Sequence, residues 1–216
     1  MKWVKWFFWV VVLPGGTIWA AYRLLFGKAT MDTTGKFDFS SLATRELRQN
    51  NMFGVSVSGS YDWDGVDLTK SVPGPDGVSV PGVDNKKNDH LQIFQTFQGG
   101  MDAAAWLLLD SGNYFGNGDN NIIEIGNHWA GDKHFTNQLN LDGTLNPDKI
   151  QVSDYAYDLW RVLKSYIPNV NPFAALHFAT DGHSVMKSIA RLENGSLQVA
   201  QVPDGMYLAA VAYAFN

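Results

Sequence analysis

Three carboxylates stand where the sequence offers acid–base chemistry: Glu46, at the end of an expected short helix, and Asp62 and Asp64, on the polar face of the run that follows. A carboxylic acid that protonates a departing oxygen, with a second carboxylate to position water or stabilise positive charge, is the equipment of glycoside cleavage. Glu46 is the candidate acid. Leu42 and Asn50, one helical turn before and after, would face it, and an apolar neighbour raises a carboxyl pKa. Arg45 and Arg48 need not face it. The competing reading makes Glu46 an exposed helix carboxylate paired with an Arg, and Asp62 and Asp64 solvated strand residues.

Other chemistries find little support. Asp62-Trp-Asp-Gly-Val-Asp67 lacks the ligand and Gly spacing of a calcium loop. His128 and His134 are not one helical turn apart, and there is no His-Glu-x-x-His and no Cys, so neither a metal nor another cofactor is expected. The absence of Cys also excludes a disulfide framework. A net charge of −5 with no Lys/Arg cluster on one element argues against nucleic acid. Trp106 and Trp129 read as core, and Glu124, off the Ile122/Ile125/Trp129 stripe, reads as solvated.

The elements that must position these groups are organised around residues 94–130. An aromatic, strand-like run from Leu91 to Phe97 leads through Gly99-Gly100 into a helix over Met101–Asp110. A Gly/Asn turn and a second helix ending at Trp129 follow. Upstream, Ser40 or Ser41 caps a short helix to about Arg48, and Val55, Val57, Tyr61 and Trp63 alternate with polar residues as a half-buried strand. Residues 72–89 are rich in Pro and Gly and read as a surface loop, as do residues 134–147. Ser153 caps a strong amphipathic helix carrying Ala156, Leu159, Trp160, Leu163 and Ile167. The tail reads as a hairpin turning at Asn194-Gly195 and a final apolar strand over Met206–Phe215.

The N-terminal residues differ from all of this. Trp6 to Tyr22 is 17 residues without a charge, flanked by Lys2 and Lys5 before and Arg23 and Lys28 after. Four of the eight Trp lie in the first nineteen residues, towards the ends of the apolar run, where an aromatic belt would put them. This is the short end of a bilayer span, interrupted by Pro14-Gly15-Gly16. A cleaved secretory signal would begin similarly, but Gly27-Lys28-Ala29 is a poor cleavage site. A membrane anchor over residues 1–28 is the expectation.

The order of pieces resembles a known family. Arg45-Glu46-Leu47-Arg48-Gln49-Asn50-Asn51, then Phe94-Gln-Thr-Phe97-Gln-Gly-Gly100-Met-Asp-Ala-Ala-Ala-Trp-Leu-Leu-Leu109, then Ile122-Ile123 and His128-Trp129-Ala130 are similar in order and spacing to lysozyme-like phage and prophage structural proteins. The match spans about Arg45 to Ile167. Three departures stand out: Met52-Phe53-Gly54 replaces the family's Pro-Gly-Asn, Gly131 replaces a Pro, and the acidic residue some members carry just before the second Arg is displaced to Glu46.

The resemblance implies a virion-associated protein that opens peptidoglycan, as a glycosidase or lytic transglycosylase, with Asn50 and Asn51 shaping or binding the substrate site, whereas their place after the helix reads as capping and tying the turn. With a membrane segment it implies a phage with an internal membrane, and partners that are peptidoglycan strands, lipid and other virion or capsid proteins. The alternative is a non-catalytic minor virion protein using the domain for docking or glycan binding. The expected fold is α+β: an anchor (1–28), a linker (29–39), a mainly α lysozyme-like domain with a small antiparallel sheet (40–168) and a β-rich extension (169–216).

Overall fold

A computed structural model of the chain describes residues 49–57, 63–87, 89–110, 114–117, 121–131, 137–140, 144, 150–200 and 202–216. The anchor, the linker and the expected first helix, with Glu46, lie outside the described residues, as do Tyr61 and Asp62.

The Ala/Leu-rich segment forms helix α1, Phe97–Asp110, which starts a turn earlier than its sequence pattern. Thr96 is the reason: its hydroxyl accepts from the Gly99 amide at 3.0 Å, satisfying one of the orphan donors of the first turn. Gly100 then lets another segment approach, since a Cβ there would sit 2.0 Å from the Asn50 carbonyl oxygen. Phe97, Met101, Ala104, Ala105 and Leu108 of α1 are buried at the centre of the core.

Helix α2, Ile122–Ala130, is capped by Asn121, whose side chain accepts from the Glu124 amide. Its C-cap is Gly131, at φ 57°, a left-handed position that the family's Pro could not adopt. Helix α3, Asp154–Leu163, is capped by Ser153 and buries Ala156, Leu159, Trp160 and Leu163, as its pattern requires. The two pack so closely that a Cβ on Gly126 would lie 2.6 Å from the Ala156 Cα.

The β structure is slight. Strands β1 (Val83–Asp84) and β2 (Leu91–Gln92) pair antiparallel, as do β3 (Asn137–Leu139) and β4 (Ile150–Val152). The expected strand from Val55 is reduced, within the described residues, to a bridge between Ser56 and Leu91. Its alternation breaks at Val57, which is 41% exposed while Val55 and Trp63 are buried. Residues 72–89 are not wholly a surface loop: β1 lies within them, Asp84 and Asn85 are buried, and Gln49 donates to the Asp84 carboxylate.

The tail corrects the sequence reading most. Helix α4 is Phe178–Asn194, a short turn α5 is Ser196–Val199 and helix α6 is Asp204–Ala214; no hairpin and no final strand form. Val185, Met186, Ile189 and Ala190 recur at helical spacing and are buried. The Asn-Gly pair is a helix stop rather than a hairpin turn. Gly195, at φ 89°, donates to the Arg191 carbonyl, and Asn194 donates to the carbonyls of Ala190 and Met52. In α6 the nearly continuous apolar run has no period to separate strand from helix, and Ala209, Ala210, Ala212 and Ala214 favour helix. Helix α6 packs on α1 and α4, so residues from Met52 to Val211 share one core instead of leaving a β-rich appendage. The described fold is α+β and mainly helical.

Candidate functional site

The carboxylates of interest are Asp102, on α1 where that helix packs against α6, and Asp64. Asp102 projects from the second turn of α1, half-buried, and accepts from the Gln98 side chain at 2.7 Å; Gln98 in turn donates to the Met206 carbonyl of α6 at 3.3 Å. Burial pushes the Asp102 carboxyl up to about 6, against the opposing pull of the Gln98 hydrogen bond. Asp64 is exposed on the turn following Trp63. Tyr213, near the end of α6, has its phenol pKa raised first by burial and then by the negative charges of Asp64 and Asp102.

Two indoles stand beside them. Trp106, four residues beyond Asp102 on the same helix, meets Trp63 edge-to-face at 5.7 Å between ring centroids and 84° between planes. The ring contact brings the turn that carries Asp64, an exposed residue, against the helix that carries Asp102, whose carboxyl holds its proton to about pH 6. Two such carboxyls can donate a proton to a leaving oxygen and stabilise developing positive charge.

Of the residues singled out in the sequence, Asp64 is placed on this turn, while Glu46 and Asp62 lie outside the described residues. Asn51 is turned into the fold. It is 0% exposed, its amide donates to the Val55 and Gln92 carbonyls and its oxygen accepts from the Val55 amide, so it ties the turn to β2. Asn50, at φ 56°, donates to the Phe94 and Gln95 carbonyls and anchors the same turn against α1. The family departure beside them fills the core: Phe53 meets Trp129 and Tyr207 edge-on, each at 6.5 Å.

Trp129 is half-buried against Phe53 and Tyr114, and Trp106 is also half-buried. Glu124 is less solvated than its stripe suggests: its Oε2 is enclosed, without a hydrogen-bond partner among the described residues. His128 is exposed and His134 is outside the described residues; no group of metal-ligating side chains forms among the described residues. Asp102 was not picked out by spacing. Its signal was its isolation, as the only charged residue between Asp89 and Asp110, in the opening turns of a helix that is otherwise apolar or small.

Within the described residues no helix is long and apolar enough to cross a membrane. The sequence matches no protein-family model, and no curated protein is significantly similar to it, so the lysozyme-like resemblance rests on the residues quoted for it.

Proposed function

We propose that the chain is a virion-associated, membrane-anchored protein that cleaves the glycan strands of peptidoglycan, as a glycosidase or lytic transglycosylase, in a phage with an internal membrane. One observation supports the chemical part: burial raises the Asp102 carboxyl to about 6, one helical turn from Trp106, whose ring meets that of Trp63, the chain neighbour of Asp64. A raised carboxyl is what protonation of a glycosidic oxygen near neutral pH requires. Glu46 keeps its place as a candidate acid from the sequence, and the chain after it runs along α1: the Asn50 carbonyl packs on Gly100, two residues before Asp102. The uncharged Trp6–Tyr22 run supports the membrane part, and the ordered family-like motifs support the virion part.

The second reading, a docking or glycan-binding virion protein without catalysis, is favoured by one feature. Asn51 and the Met52-Phe53 pair, at the family's motif, are spent on packing and internal hydrogen bonds. A zymogram on purified sacculi separates the two. Clearing by the wild type and loss of clearing in Asp102→Asn or Glu46→Gln supports the enzyme; retention on sacculi without clearing supports the binding module.

A further inference from the structure

A second site lies beside the first turn of α6. Asp204 is the first residue of that helix, and the Asp102 partner Gln98 reaches the Met206 carbonyl of the same turn from α1. Here Tyr166, Lys187, Arg191, Ser196, Val199 and Val202 line a pocket of about 320 Å³ together with Asp204. That is within the size range of sites for small ligands.

Lys187 and Arg191 stand one turn apart on α4 and present both cations to the same side. They are held differently. The Lys187 ammonium is 2.6 Å from the Asp204 carboxylate and 4.9 Å from the Tyr166 ring centroid, with a side chain only 15% exposed. Arg191 has no carboxylate among the described residues: its Nε donates to the Ser196 hydroxyl at 2.9 Å and one Nη to the Ser165 hydroxyl at 3.4 Å. Two cations against one carboxylate leave a net positive charge, and it sits on a guanidinium fixed by neutral partners. A guanidinium has five donors, so a planar edge remains for an acceptor with two oxygens. Val199 and Val202 add an apolar wall.

We infer that this pocket binds an oxyanion carried on a small apolar body, with Arg191 as the bidentate partner. The chemistry is that of a carboxylate ending a short peptide of small residues, or of a phosphate ester. It does not depend on Asp102 or Asp64, neither of which lines the pocket. Lys187 does not compete for the ligand, because Asp204 already neutralises it.

The test is a ligand-observed NMR titration of the full-length protein in detergent with N-acetyl-D-alanyl-D-alanine, with glycerol phosphate, and with the uncharged amide of the same dipeptide. Saturable binding of either anion is expected, weakening as sodium chloride is raised, with the amide not binding; the tighter anion identifies the source of the oxyanion. Arg191→Ala should weaken binding by about tenfold or more, and Arg191→Lys should restore only part of it, because the planar fork is lost. Circular dichroism of both variants checks that they are folded, and the salt dependence of the wild type tests the charge without any variant. Equal binding of the amide, indifference to salt, or no binding of either anion up to about 10 mM, where a single strong ionic contact would register, overturns the proposal.

Discussion

Asp102 and Asn51 show two different uses of a polar side chain inside this fold. Asp102 has its folded-state pKa raised above the ordinary 3.8 to about 6, so between those values the native state holds a proton that the unfolded chain has released. Stability therefore falls as pH rises across that window and is level above it. Asp102→Asn, which keeps an acceptor for Gln98, should stabilise the protein by about 1 to 2 kcal/mol at pH 7, after allowing for partial exposure, and by almost nothing at pH 3.5. Urea unfolding at the two pH values checks both halves. Asn51→Ala should instead destabilise at every pH, by about 2 to 3 kcal/mol, because it strands the buried Val55 amide and the buried Gln92 carbonyl, while the Val55 carbonyl keeps the Gln92 amide. A loss under about 0.5 kcal/mol would mean that water or a shifted backbone replaces the tie. Sequence spacing found Asp64 but not Asp102, because a lone acid in an apolar helix announces itself by burial and not by a motif.

At the scale of elements, helices with caps were the legible part. Ser153 and the Ala156/Leu159/Leu163 stripe fix α3 without ambiguity, and the Ile122/Ile125/Trp129 stripe marks α2, whose Asn121 cap the structure adds. Thr96, which sets the start of α1, precedes an apolar-poor first turn, and its role could not be separated from the strand-like run before it. The tail was misread because Asn194-Gly195 serves helix stops and hairpins alike, and because an apolar run buried on several sides has neither period. The two readings of α6 differ in a measurable way. A strand would place Met206, Leu208 and Ala210 on one face, whereas the helix buries Met206 to 1% and leaves Leu208 50% exposed. Met206→Ala should cost about 2 to 5 kcal/mol and Leu208→Ala less than about 0.5 kcal/mol. Similar losses at both positions would contradict the helix. Gly126→Ala tests the α2–α3 crossing, where the added methyl meets backbone and should cost about 1 to 3 kcal/mol.

For the whole molecule, one core from Met52 to Val211 holds α1, with Asp102, against α6, and residues 1–28 are proposed to fix it to lipid. Full-length protein should float with liposomes in a density gradient and a chain lacking residues 1–28 should not; equal behaviour of the two would remove the anchor. The enzymatic claim is tested most directly by the pH dependence of kcat/KM on purified peptidoglycan. If Asp102 donates the proton, activity must fall above about pH 6 as its carboxyl ionises, and Asp102→Asn at equal folded concentration should lose roughly two orders of magnitude or more. A rate unchanged through pH 8 in the wild type, or full activity in Asp102→Asn, would contradict the account.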